Sequence, residues 1–469
     1  MTAIAAQLPV AAQLPVAART PPVVGRVPLI GALLSVLRDA PGAFLDAIRR
    51  HPGEIVNLML GPAAVPLISQ PEHIQEVMID RADDFTKGGM WNAIRPLLGD
   101  GVVTSDGAAW KSQRRMLNPL FTPRFVASLG DGRVSAMTAQ IELIAERAAS
   151  GPLEVGAEMT QLTQRVLLET LFGTSLDPAE VAELGQAINV AMEAMNYQIF
   201  MYNLPSWIPR PYGGAFTRAV AQVDAALERM LAARRANPTT TPDVLNRLLQ
   251  AKDEDGEGLS PKQIRDQLIT LYVAGLDTTA VTLTWLFHIL DRHPEVDRRL
   301  RAEVAEVCGG RRPTVTDLEK LDYTRRCIQE AMRLYPPAWI LPRFSPVDTT
   351  VGGYHIPAGT TMLLSPYLTH RSPTVWDNPD AFDPDRFLPE AVARRPKLSW
   401  IPFGAGGRMC VGMHFAMVEV QLATVLLVQR FRPTGDKDRV VVPAAASTLK
   451  PKGGLKMTFA QVAVAQVAG

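Results

Sequence analysis

The chain predicts a mainly α protein with small β-sheets, of the α+β class. Three observations carry this. Apolar residues recur at helical spacing from Pro71 through Leu334. One stretch, Leu268–Leu290, is apolar on all sides, as a helix through a large core must be. Strand signals are confined to short runs near residues 55–69 and 349–364 and after the last helix.

The N-terminus holds a direct repeat, Ala5–Val10 and Ala11–Val16, with no charge before Arg19. Pro9 and Pro15 interrupt the apolar run that a signal peptide needs, so residues 1–20 are expected to be a disordered tail and residues 21–469 a single catalytic domain. Ala40–His51 has helical spacing. Ile55–Leu60 and Ala64–Ser69 form a hairpin about Gly61-Pro62. Helices are then expected at about Glu72–Asp80, Ala108–Leu117, Arg124–Ala149, Met159–Phe172, Pro178–Tyr197 and Ala215–Arg235. A second block covers about Asp243–Ala251, Pro261–Arg292, Pro294–Cys308 and Tyr323–Leu334. Thr349–Leu364 alternates like strands, with turn signals at Gly352-Gly353 and Pro357-Ala358-Gly359. Residues 373–409 are irregular, and so long an irregular stretch in a globular chain usually has a function. A last helix runs about Gly412–Phe431 before short closing strands.

Composition excludes several classes. Hydrophobic residues at 47% against 20% charged rule out a disordered chain. A balance of 48 basic and 47 acidic residues gives no whole-protein affinity for nucleic acid. The cysteines are Cys308, Cys327 and Cys410, with no CxxC pair, so neither a disulfide framework nor a thiolate zinc site is expected, and a reducing, cytoplasmic setting fits. Leu268–Leu290 carries Asp277 near its middle, at a cost of about 3 kcal/mol in a bilayer centre, so a buried core helix is preferred to a membrane span.

Cys410 opens the chemistry. It stands in Phe403-Gly404-Ala405-Gly406-Gly407-Arg408-Met409-Cys410-Val411-Gly412, just ahead of a helix. Glycines permit tight turns and close approach to a flat ligand, while Arg408 and backbone N–H groups favour a thiolate. Read alone, a cysteine is a small buried apolar residue. At FxxGxRxCxG spacing, extended to Ala416, the segment resembles the haem-ligating loop of the cytochrome P-450 family. That resemblance implies a triangular, helix-rich prism with haem b between a long central helix and the Cys-loop helix, and Cys410 as the iron ligand. A thiolate ligand favours O–O cleavage.

Further motifs follow the family's order over about residues 20–460. Glu330 and Arg333 share a helix face, which alone is an ordinary surface pair. With Arg386 in Phe382-Asp383-Pro384-Asp385-Arg386-Phe387, they resemble the family's buried structural triad. Trp110 and Arg114 form WxxxR, which the resemblance places on a haem propionate, with Arg343 and Arg408 as further propionate partners. Ala274-Gly275-Leu276-Asp277-Thr278-Thr279 resembles the oxygen-activation groove. Read alone, Asp277 is an acid on a wet groove and Thr278 a hydroxyl bonded back to its own helix. In the family mapping Thr278 orders a water on the oxygen side and Asp277 relays protons to it. Gly275 permits close approach and helix distortion.

The implied activity is a monooxygenase that uses dioxygen, two electrons and two protons on a hydrophobic small molecule: a terpenoid, a polyketide or macrolactam, or a fatty acid. Candidate pocket residues are Met90, Trp91, Ile94, Met195, Phe200, Val273, Ile340, Leu341 and Thr448. A Met-rich pocket is adaptable. No fused flavin domain is expected, so electrons would come from NAD(P)H through a separate ferredoxin or flavodoxin and its reductase. Lys111, Arg115, Arg394, Arg395, Lys397 and Arg408 would form a basic face for that acidic partner. A monomer is expected. Competing readings are a haem-thiolate sensor without turnover, which has no need of Asp277 and Thr278, and an isomerase or dehydratase on the same fold.

Overall fold

The structure, a computed structural model, describes residues 18–25, 30–173, 178–201, 213–240, 242–252 and 256–462, excepting the side chains of 90, 178–182 and 196–201. Residues 1–17 of the expected tail lie outside the described residues. The tail expectation does not hold at its end: the Arg19 N–H donates to Gly353 O at 2.9 Å, and its guanidinium stands 4.2 Å from the Tyr354 ring centroid. A backbone pairing and a cation–π contact hold that residue in place.

In chain order the elements are β1 (Val23–Val24), α1 (Leu33–Arg50), β2 (Val56–Leu60), β3 (Ala63–Ile68), α2 (Pro71–Gln75) running on as a π-helix through Asp80, α3 (Arg95–Leu98), α4 (Gly107–Leu117), α5 (Pro123–Ser128), α6 (Gly130–Ala148), β4 (Leu153–Glu154), α7 (Val155–Phe172), α8 (Pro178–Met201), α9 (Gly213–Ala236) and α10 (Val244–Gln250). Then come α11 (Pro261–Arg292), α12 (Pro294–Cys308), α13 (Asp322–Leu334), β5 (Leu341–Ser345), β6 (Thr349–Val351), β7 (Tyr354–Ile356), β8 (Thr360–Leu364), α14 (Pro366–Thr369), α15 (Pro389–Arg394), α16 (Met413–Arg430), β9 (Phe431–Gly435), β10 (Pro443–Ala445), β11 (Leu449–Pro451) and β12 (Lys456–Gln461).

Two departures from expectation have local causes. α1 kinks at Asp39, whose Oδ1 accepts from the Gly42 N–H at 3.1 Å and so caps the second half; the predicted helix from Ala40 is that half. The expected helix Arg124–Ala149 is two helices. Arg133 reaches back to the carbonyls of Val126 and Leu129, capping the end of α5. Gly130 opens α6 where a Cβ would come within 2.6 Å of Val315 Cγ2.

The chain forms two compact units. The first holds residues up to 88, 340–379 and 395–409. Its sheet has strand order β1-β2-β3-β8-β5, with β2–β3 and β5–β8 antiparallel and β3–β8 parallel. Ile55, Ile68, Val77, Met78, Ile356, Met362 and Leu364 fill its core.

The second unit holds residues 89–339, 380–394 and 410 onward. Its axis is α11, started by a full capping box: Ser260 Oγ accepts from the Gln263 N–H at 3.2 Å, and Gln263 Oε1 accepts from the Ser260 N–H at 2.8 Å. Pro261 fits the first turn, and Pro294 opens the next helix. α11 packs on α7, with Gly275 at the close approach: a Cβ there would meet Leu167 Cδ2 at 3.0 Å. Among the described residues α11 is the one helix long and apolar enough to cross a membrane, and 78% of its apolar window is buried inside the protein.

Candidate active site

Cys410 ends the glycine loop and precedes Gly412, the cap of α16. Its side chain differs from those of Cys308 and Cys327: they are buried, and it is exposed. Desolvation by the surrounding protein still pushes its thiol above the ordinary value, while the Gly412 N–H and the charge of Arg114 pull the other way. A thiol set deep among protein atoms yet open at its surface suits a soft metal ion, and coordination removes its proton outright.

α4 brings Trp110 and Arg114 to one face, one turn apart. Arg114 is half-buried, and burial pulls its pKa down. It has no carboxylate partner among the described residues, and Cys410 is its one recorded electrostatic neighbour. A partly desolvated cation of this kind calls for an anion, such as the propionate of a porphyrin. Ser112 and Arg115 of α4 line a cleft of about 450 Å³ with Arg247 and Lys252.

Midway along α11 an otherwise core-filling helix becomes accessible. Ala274 is exposed and Gly275 and Thr278 are half-buried, while Leu276, Asp277 and Thr279 are buried. Ala274 and Thr278 are one turn apart, so the opening lies on one face. Thr278 Oγ1 donates to the Ala274 carbonyl at 2.8 Å, the back-bonded arrangement weighed from sequence. α11 runs unbroken from Pro261 to Arg292, so Gly275 serves close packing on Leu167 and introduces no interruption. Asp277 Oδ2 meets Lys450 Nζ at 2.9 Å and Thr448 Oγ1 at 3.4 Å. Thr448 was expected in the pocket wall; the structure puts its hydroxyl on Asp277. Lys450 was not singled out from sequence. A lysine in a closing strand, more than 170 residues away, gives no local signal.

The Glu330 cluster is compact. Arg333 Nε and Nη2 donate to Glu330 Oε2 and Oε1 at 2.7 and 2.8 Å, and both side chains are 0% exposed. The Asp383 N–H donates to Oε1 at 2.9 Å, Arg333 Nη2 to the Ala381 carbonyl at 2.9 Å, and Arg386 Nε lies 3.4 Å from Oε1. Burial raises the Glu330 carboxyl, and these donors oppose it.

Of the pocket candidates in this unit, Ile94, Met195 and Val273 are buried and Trp91 is half-buried. The side chains of Met90 and Phe200 lie outside the described residues.

In the first unit, Gly406 has φ +63°, and a Cβ on it would come within 2.1 Å of the Met78 carbonyl oxygen, so the loop requires glycine there. Phe403 meets Trp400 edge-on at 6.2 Å between centroids, and Arg408 lies in the 3₁₀ turn Gly406–Arg408. Arg343 sits on β5 opposite Met362, its Nη1 donating to the Pro342 carbonyl at 2.8 Å. Ile340 and Leu341, at the entry to β5, are half-buried. The Arg395 guanidinium stacks on Trp376 at 4.5 Å.

An open cysteine thiol after a glycine loop, a cation without a carboxylate, and an acid–alcohol pair on a long core helix are what a haem-thiolate oxygenase requires. The chain belongs to the cytochrome P-450 family: the family model matches residues 21–459. It is a monooxygenase of that family. It is 36% identical over 421 residues to cyclooctatin synthase of Streptomyces melanosporofaciens, covering 89% of each chain. It is 32% identical over 412 residues to pentalenene oxygenase of Streptomyces avermitilis, covering 87% of this chain and 90% of that protein. Among solved structures, the haem domain of a cytochrome P-450 designated DA superposes with TM-score 0.86 at 27% identity, covering 94% of this chain and 97% of the other. A cyanobacterial member with retinoic acid bound gives TM-score 0.83 at 25% identity, covering 95% of this chain and 100% of the other. The P-450 fold predicted from the motifs is therefore the fold of this chain. Membership brings haem, dioxygen, an electron donor and a hydrophobic substrate.

Proposed function

We propose that the chain hydroxylates or epoxidises a cyclic terpenoid, drawing electrons from NAD(P)H through a separate ferredoxin or flavodoxin and its reductase, as a cytoplasmic monomer. The observation that carries the chemistry is the opening on α11 at Ala274 and Thr278, beside the buried Asp277. Relatives favour the substrate class. One is named cyclooctat-9-en-7-ol 5-monooxygenase and another pentalenene oxygenase, and both names denote cyclic olefins bearing at most a hydroxyl. Buried Ile94, Met195 and Val273, with half-buried Trp91, offer such a skeleton an apolar wall.

Cys410 would ligate the iron of haem b, with Phe403, Gly406 and Gly412 shaping the loop, and Ala274 and Gly275 would contribute to the haem site. Trp110 and Arg114 would hold a propionate. When bound, haem supplies the oxidising chemistry, with the thiolate favouring O–O cleavage. The chain's residues supply protons and position. Asp277 takes a proton from solvent and passes it on. Thr278, freed from the Ala274 carbonyl, orders the water that delivers it. Glu330, Arg333 and Arg386 serve folding and haem incorporation, not bond making. The cationic cleft of Arg115, Arg247 and Lys252 suits an acidic redox partner.

Two measurements test this. Spectral titration against cyclic terpenes, macrolactams and fatty acids should give the tightest response with the terpenes; tighter binding of either other class overturns the substrate reading. Thr278→Ala should keep substrate binding and much of the NAD(P)H consumption while product per electron pair falls sharply and hydrogen peroxide rises. A relay group of this kind is worth about 100- to 10,000-fold in its step. Unchanged coupling would move the role to Thr279 or to a hydroxyl of the substrate.

A further inference from the structure

Asp277 meets solvent only over a small part of its surface. Its side chain is 12% exposed, and its cationic neighbour Lys450 is 46% exposed. Both recorded contacts fall on one oxygen: Lys450 Nζ at 2.9 Å and Thr448 Oγ1 at 3.4 Å bind Oδ2. Oδ1 carries no contact among the described residues. Lys450 and Thr448 come from a β10–β11 hairpin that is itself fixed to the helical core. The Trp285 indole N–H donates to the Leu449 carbonyl at 2.7 Å, and the Trp339 indole N–H to the Ala446 carbonyl at 3.1 Å. Trp285 in turn stacks on Tyr335, centroids 3.7 Å apart and planes within 3°.

A carboxylate pinned through one oxygen by a cation and a hydroxyl loses its freedom to rotate, which is how a supporting group orients a proton carrier. We infer that Lys450 is a positioning residue for proton delivery: its ammonium clamps Asp277 Oδ2 from the solvent side, so that Oδ1 is the oxygen that receives and passes on the proton. Lys450 is not consumed; the proton goes from solvent to Asp277 and on to the water ordered by Thr278. Thr448 shares the clamp, so the hairpin that carries both residues sets the geometry of the acid. The inference rests on the proton-relay role proposed for Asp277.

The test compares Lys450→Met and Lys450→Arg, with exposed Lys452→Met as a control. Lys450→Met should load haem and bind substrate normally, because the residue is half outside the fold. Its product per NAD(P)H should fall at least severalfold, and its solvent deuterium isotope effect on turnover should rise. Lys450→Arg should restore most of both, since a guanidinium keeps the charge and the reach. A crystal structure of Lys450→Met should show the Asp277 carboxylate turned away from Thr448. If the carboxylate stays in place, or coupling and isotope effect match wild type, the clamp is refuted. If Asp277→Asn itself turns over normally, the relay reading fails instead, while the crystal structure still decides whether Lys450 positions the carboxylate. Loss of haem in Lys450→Met with no rescue by arginine would assign a structural role and overturn the inference.

Discussion

Cys308 and Cys327 are buried, and desolvation raises both thiols; Cys410 alone of the three is open. Cys410→Ala should therefore abolish the red-shifted, thiolate-specific band of the reduced carbonyl complex and leave the other two cysteines unable to substitute. Survival of that band at full intensity would exclude Cys410 as the ligand. Glu330 bears a different kind of demand. With two arginines and a backbone N–H directed at a fully buried carboxylate, its removal strands charge at a cost of about 3–5 kcal/mol. Glu330→Ala should yield little soluble holoprotein, and normal expression with full haem content would contradict this. These residues were legible because their spacing is helical or sits in a tight local motif. Lys450 was not. Its meeting with Asp277 is made by the return of a distant strand, and nothing near either residue encodes it.

α16 carries a buried pair that periodicity concealed. Glu419 faces Arg133 of α6, yet Glu419 Oε1 and Arg133 Nη1 each lack a hydrogen-bond partner among the described residues. Burial pushes the Glu419 carboxyl up to about 8 and outweighs the pull of Arg133, whose own value drops to about 10. Between about 4.5 and 8 the folded chain holds a proton that the unfolded chain has released, so this group destabilises the fold progressively as pH rises through that window. The slope for one proton is at most about 1.4 kcal/mol per pH unit. Glu419→Gln should melt higher than wild type by a margin that widens from pH 5 to pH 8; a constant margin would count against a buried, titrating carboxyl. Helix existence was readable along most of the chain, but helix ends were less so. The apolar period continues across Leu129, so the division of α5 from α6 depends on the Arg133 cap and the packing of Gly130 against Val315, and neither leaves a trace in periodicity.

Five motifs in order conveyed the fold of the whole chain, because each is a local solution to holding one group: a glycine loop for a thiolate, a one-turn pair for a carboxylate, an acid and alcohol in mid-helix. The pocket was not conveyed, since an apolar wall is built from ordinary core residues such as Ile94 and Val273, which look the same whether they face a ligand or a neighbour. The turn between β10 and β11 stands between these cases. Only residues 446–448 separate the two strands, yet Ala446 accepts from Trp339, its N–H donates to the Thr448 carbonyl, Thr448 reaches Asp277, and Leu449 accepts from Trp285. A connection fixed at so many points has no slack. Tolerance to insertion depends on loose backbone, so this turn should keep its length through evolution, and gaps between this chain and its relatives should fall elsewhere.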